Sequence, residues 1–154
     1  MEQTEIKETL KMYARAELAR RNFWEFCLFY DKEFFTARHF LKQVADAFQE
    51  ISEKKIRALS VSMPPRAGKS YITSLFCAWS LGNNPRESIM RNTCTSSLYL
   101  KFSYDVRNIV KQEKFAFVFP SFDLAPDKAN LQGWNTNESR QVGYFGAGVA
   151  SKCR

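Results

Sequence analysis

The sequence predicts an α/β fold, a parallel sheet flanked by helices, and three observations predict it. A short apolar run, residues 58–63, ends in Pro64-Pro65-Arg66-Ala67-Gly68-Lys69-Ser70, and an apolar helical pattern follows over 71–81. A second extended stretch, 87–94, is again followed by helical spacing, from 95 to about 112. Strands alternating with helices in this way are parallel strands joined by right-handed crossovers. The third observation is bulk. At 154 residues with 45% hydrophobic and 25% charged side chains, the chain has the balance of a soluble globular domain with a sizeable core.

Residues 4 to about 30 read as helix, because Leu10, Tyr13, Ala14, Leu18 and Arg21 recur at helical steps and Ala and Glu are frequent. Their last part, Phe23-Trp24-Glu25-Phe26-Cys27-Leu28-Phe29-Tyr30, is apolar nearly all round and has to be buried. Thr36 is the expected N-cap of the next helix, whose stripe is Phe40, Leu41, Val44, Phe48 and Ile51. Residues 57–63 then form the expected buried parallel strand. The helix after the loop carries Ile72, Leu75, Phe76, Trp79 and Leu81 on its core side, and Gly82, Asn83 and Pro85 stop it. The segment 95–112 places Leu98, Phe102, Val106, Ile109 and Val110 together, with Thr95 or Ser96 as its cap. Phe115 to Phe122 is an aromatic stretch broken by Pro120. Residues 131–136 and 140–145 read as a hairpin, and Gly143, Gly146 and Gly148 as a flexible end.

The formal net charge of +7 and the pI of about 9.3 permit a polyanionic partner such as nucleic acid. Cys27, Cys77, Cys94 and Cys153 lie far apart without metal-ligand spacing, and there is one His, which argues against zinc and against a disulfide framework. Free thiols fit a reducing, intracellular setting. The charged first residues predict no secretory leader, and no apolar run is long enough to predict a membrane span.

The loop carries the chemistry. Between a strand and a helix, successive backbone N–H groups converge on one spot and suit a phosphate. Lys69 would reach the outer phosphates as a compact charge, and the Ser70 hydroxyl would sit on Mg²⁺. The pattern calls for Gly at its first position, where this chain has Met63. The competing reading is an ordinary turn with a solvated lysine. On the first reading the fold is P-loop NTPase-like, with an N-terminal helical segment over 1–35 and a partial P-loop domain over 36–154.

Further residues flank the loop in a fixed order. They are Ala37-Arg38-His39, then Ala78-Trp79-Ser80-Leu81-Gly82, Tyr104-Asp105-Val106-Arg107-Asn108-Ile109-Val110, Phe119-Pro120, Trp134 and Gly146-Ala147-Gly148-Val149. From Ala37 to Val149 the sequence thereby resembles the ATPase half of the phage terminase large subunit, the motor that packages viral DNA. That family commonly lacks the first Gly of the loop. The resemblance implies ATP hydrolysis coupled to translocation of double-stranded DNA, with ATP and Mg²⁺ as cofactors. Implied partners are double-stranded DNA, other terminase copies, the small terminase subunit and the portal. The implied setting is the cytoplasm of a bacterial host, with a phage or prophage origin. Carried over by position, Lys69 holds the β- and γ-phosphates, Ser70 helps hold Mg²⁺, and Arg66 steadies charge on the transferring phosphoryl. Pro65, Ala67, Gly68 and Tyr71 complete the nucleotide contacts. His39 falls where the family places its adenine contact, and equally reads as a helix-start residue with no ligand.

One departure matters. In the family the Gly-rich stretch leads into a strand ending in two acids that orient Mg²⁺ and the attacking water. Here Ala150-Ser151-Lys152-Cys153-Arg154 follows, and the nearest acids, Asp123 and Asp127, sit in a polar stretch. The chain therefore reads as the front part of such an ATPase, without the acidic strand and the nuclease domain, and weakly active or inactive. Strands left without neighbours expose edges and apolar faces, which predicts self-association. The alternative is a non-catalytic prophage remnant or interaction module for DNA or a capsid component, using Lys54, Lys55, Arg57, Arg91, Lys101 and Lys111. A small-molecule kinase would need a lid and an acidic pair, and neither is found.

Overall fold

In the computed structural model, which describes residues 2–125, 133–137 and 143–148, the N-terminal helical pattern is two helices, α1 (Glu2–Arg21) and α2 (Phe23–Tyr30). Asn22 divides them. It sits in extended backbone and its Oδ1 accepts the Glu25 N–H at 3.0 Å, so it caps the second helix rather than continuing the first. A short helix α3 (Lys32–Ala37) follows, then α4 (Leu41–Ser52) and α5 (Lys69–Asn83). Beyond α5 come β1 (Ile89–Thr93), α6 (Ser96–Val110), α7 (Glu113–Val118), β2 (Gly133–Trp134) and β3 (Tyr144–Gly148). Among the described residues the protein is α/β, mostly helical, with one small three-stranded mixed sheet. It divides into two compact units, Met1–Phe76 and Cys77–Arg154.

The first unit is built around α2. Phe23, Trp24, Phe26, Cys27 and Tyr30 are all buried, as an apolar surface on every side requires. Phe23 meets Phe76 and Phe48 edge-on at 5.2 and 6.0 Å, and Phe48 stacks on Phe76 at 4.5 Å. Rings of this size contribute about 1.5–3 kcal/mol each on full burial. Gln49 locks α4 to the α1–α2 junction, since its Oε1 accepts the Phe23 N–H at 2.8 Å and its Nε2 donates to the Arg21 carbonyl at 3.2 Å.

Three expectations in this unit are corrected. Thr36 is not an N-cap but lies inside α3, which Asp31 caps by accepting the Phe34 N–H at 3.2 Å. α4 starts at Leu41 without a side-chain cap, and Phe40 is exposed rather than part of the buried stripe. Residues 57–63 are the larger correction. Their alternate residues are half-buried and exposed, the mark of extended chain, but they form no strand and join no ladder among the described residues. Extended backbone becomes a strand only when a neighbour takes its N–H and C=O groups.

The second unit holds the sheet, in the order β1-β3-β2. β1 and β3 are parallel, with Ile89 opposite Tyr144 and Thr93 opposite Gly148. β2 is antiparallel to β3, with Trp134 opposite Tyr144. The expected hairpin is thus present in its described part; Leu131, the turn around Glu138 and Ser139, and Asp127 lie outside the described residues, as do Val149 and Cys153. The glycine-rich stretch is not a loose end, because Gly146 sits in the middle of β3. A Cβ there would stand 2.6 Å from Tyr99 Cδ2 of α6, so glycine is what lets the helix lie on the strand. The core of this unit is Tyr99, Ser103, Val106, Ile109 and Val110 of α6 with Phe115, Val118 and Phe119, and Trp134 stacked on Tyr144 at 5.3 Å. α5 runs on through Gly82, which is therefore not its stop signal.

Candidate nucleotide-binding site

The loop before α5 has two residues of left-handed backbone. Arg66 has φ 64 and Gly68 has φ 99, with Ala67 between them outside that region. The turn closes with the Ala67 N–H on the Pro64 carbonyl at 3.4 Å. α5 then begins at Lys69, and its first internal bond runs from the Ile72 N–H to the Gly68 carbonyl at 3.0 Å. Left-handed residues alternating with ordinary ones turn successive N–H groups to one side, and a helix N-terminus adds its own first-turn N–H groups and positive dipole end. Gly68 to Ser70 is therefore neither mid-helix nor strand but the junction of turn and helix that the sequence predicts. A non-glycine residue at positive φ costs about 1–2 kcal/mol, and Arg66 bears that cost. Gly68 has a second reason to be glycine: a Cβ would stand 3.0 Å from Phe34 Cζ and 3.2 Å from Leu41 Cδ1.

The side chains divide into those that face water and those that hold the loop. Pro65, Arg66, Lys69 and Ser70 are exposed, and Ala67 and Gly68 are half-buried. Ser74 Oγ donates to the Ser70 carbonyl at 2.9 Å and Thr73 Oγ1 to the Lys69 carbonyl at 2.8 Å, so both hydroxyls bond back to the first turn of α5. Tyr71 points back into its own unit. Its hydroxyl donates to Asp31 Oδ2 at 3.1 Å, and its ring lies edge-on to Phe34 at 4.9 Å and stacked on Phe35 at 5.8 Å. Burial, and then the Asp31 carboxylate, push the Tyr71 hydroxyl well above its ordinary range. His39 is exposed and its ring meets Trp24 edge-on at 5.7 Å.

Asp31 and Phe34 are the residues that sequence reasoning missed. Asp31 ties α3 to the first turn of α5, and Phe34 forms the floor under Gly68. The Arg38 guanidinium lies over the Phe34 ring, 4.1 Å from its centroid, which adds a cation on the side of α3 that carries this floor. An Asp directly before a short helical run was the available signal for the cap. No sequence signal gave its bond to Tyr71, whose hydroxyl is 40 residues further on.

The donor set suits a polyphosphate better than a bare metal ion. It offers N–H groups, one exposed ammonium, one exposed guanidinium and one hydroxyl. Among the described residues no group of three His, Cys, Asp or Glu is placed to hold a metal. No described helix is long and apolar enough to cross a membrane. Of the six cations expected on a DNA-binding surface, Lys54, Lys55, Arg57, Lys101 and Lys111 are exposed. Lys55 pairs with Glu53 at 2.5 Å, and the Arg91 guanidinium is stacked 3.7 Å from the Phe102 ring centroid. Compared with protein families, with curated proteins and with solved structures, the chain matches none of them.

Proposed function

We propose that residues 64–70 and the first turn of α5 bind the phosphates of ATP, in a chain that acts as the ATP-binding front part of a viral DNA-packaging motor. The observation that carries the reading is the backbone: left-handed Arg66 and Gly68 leading directly into a helix whose first residues are Lys69 and Ser70. Lys69 neutralises the outer phosphates, and Arg66 is the second cation that meets charge on the transferring group. Ser70 would supply a hydroxyl to Mg²⁺, which when bound would neutralise charge on the phosphates. Asp31 through Tyr71, and Phe34 under Gly68, hold the loop in shape. The terminase assignment rests on the order of the sequence motifs. Asp31, the carboxylate bonded to the first turn of α5, is already engaged by the Phe34 N–H and the Tyr71 hydroxyl.

The test is a thermal melt against ATP–Mg²⁺. At a ligand concentration about 100 times Kd, binding to the folded state adds about 2.7 kcal/mol, a shift of several degrees in a chain of this size. Lys69→Ala, an exposed substitution, should leave the unliganded Tm in place and remove the shift. A shift of equal size in Lys69→Ala would refute the assignment. The second reading, a non-catalytic DNA-binding or capsid-binding module, is favoured by the net charge of +7 and the exposed Lys54, Arg57, Lys101 and Lys111.

A further inference from the structure

Helix α6 buries one face and turns the other to water. Tyr99, Ser103, Val106, Ile109 and Val110 mark the packed side. At about 100° per residue, Lys101, Tyr104, Asn108 and the C-cap residue Lys111 fall together on the opposite side, at steps of three, four and three residues. Lys101, Tyr104 and Lys111 are exposed, Tyr104 at 53%, and Asn108 is half-buried. Among the described residues none of these four side chains makes a hydrogen bond, ion pair or ring contact.

The stripe carries cations and no acid. Asp105, the acidic residue of α6, lies at its margin, half-buried, and makes no ion pair with Lys101 four residues before it. Beyond the helix, Glu113 and Lys114 cancel in formal charge. The helix dipole accounts for Lys111, at the end that favours cations. It does not account for Lys101, in the half nearer the end that favours acids, nor for an open tyrosine ring between the two lysines.

We infer that this face of α6 binds single-stranded nucleic acid, with Lys101 and Lys111 on phosphates and the Tyr104 ring under a base. The two lysines lie ten residues apart, about 15 Å along the helix, so they meet separate phosphates of one strand. A base stacks on an aromatic ring whatever its identity, so the contact is tolerant of sequence. Asn108, one turn on from Tyr104, offers an amide to that base's edge. A duplex keeps its base faces inside the stack and would leave the ring unused, and an acidic peptide would meet the cations alone. The inference rests on the second reading above, a nucleic-acid partner, and narrows it to one strand and one helix face. It involves neither residues 64–70 nor Lys54 and Arg57, so loss of ATP binding leaves it untouched.

Fluorescence anisotropy of the full chain with labelled oligonucleotides of about 12 nucleotides tests it, using oligo-dT, oligo-rU and a DNA duplex of the same length at about 50 mM NaCl. The single strands should bind more tightly than the duplex. The tighter of dT and rU identifies the polymer, and either supports the proposal. Tyr104→Ala should weaken single-strand binding about fivefold or more, whereas Tyr104→Phe, which keeps the ring, should not. Lys101→Gln combined with Lys111→Gln should lower the slope of log affinity against log salt by about 1.4, at about 0.7 for each phosphate. All three variants change solvent-facing side chains, so the circular dichroism spectrum and Tm should stay as in the wild type. No binding to either single strand overturns the proposal and the nucleic-acid reading with it. Binding indifferent to Tyr104→Ala, a slope unchanged by the lysine pair, or a duplex bound as tightly as the single strands overturns the proposal and leaves the wider reading standing.

Discussion

Gly68 shows how much one residue decides. Its φ of 99 lies where side chains are strained, and the space above its Cα is already taken by Phe34 and Leu41. Gly68→Ala should therefore destabilise the fold by about 1–3 kcal/mol, and urea unfolding measures it. The same variant should lose the ATP-dependent shift in Tm, since a loop that moves to admit a methyl group no longer aims its N–H groups together. Tyr30 gives a second prediction at this scale. Burial first, and the neighbouring Asp31 carboxylate second, push its hydroxyl from 10.0 up to about 12. The folded state thus holds the neutral phenol more tightly than the unfolded chain does. Stability from this group is complete below pH 10 and is lost as pH rises towards 12. A circular dichroism titration over that interval should show the loss, and Tyr30→Phe should make it shallower.

At the scale of elements, the contact between α6 and β3 depends on a missing side chain. Tyr99 lies so close over Gly146 that a Cβ would stand 2.6 Å from its ring. Gly146→Ala should cost about 1–3 kcal/mol through overpacking, seen as a drop in Tm. In a Tyr99→Ala background the same substitution should cost much less, because the two residues act on one contact. The aromatic stretch of α2 works the other way, by filling rather than leaving space. Its rings Phe23, Trp24, Phe26 and Tyr30 are buried, and Asn22 and Gln49 fix where the helix begins.

At the scale of the whole molecule the basic balance becomes a matter of placement. The net charge of +7 includes Lys55, which is paired with Glu53, and Arg91, which is stacked on Phe102. If the exposed cations contact DNA phosphates, log affinity should fall linearly with log salt by about 0.9 per phosphate neutralised. Replacing Lys54 and Arg57 with Gln should then lower the slope by about 1–2 without changing sequence preference, and fluorescence anisotropy at several salt concentrations measures it. A slope unchanged by the pair would remove these two residues from any such surface.

By itself the sequence determined what local chemistry controls. It placed α5 with its buried Ile72, Leu75, Trp79 and Leu81, the burial of most of Phe23 to Tyr30, a strand within 87–94 and the turn before Lys69. Periodicity, apolar runs and a Gly beside Lys-Ser are properties of neighbouring residues, so they are readable one segment at a time. Tertiary structure alone decided the rest. Residues 57–63 have the apolar character of a strand and yet join no ladder among the described residues, because pairing is the property of two segments and not of one. Gly146 and Gly148 look like a loose end until β1 on one side and Tyr99 above Gly146 make them part of a strand. Asp31 meets Tyr71 across 40 residues, a hydrogen bond that exists only once α3 and α5 have packed. Contacts between distant parts of the chain follow from the whole set of burials at once, and no single stretch of residues carries them.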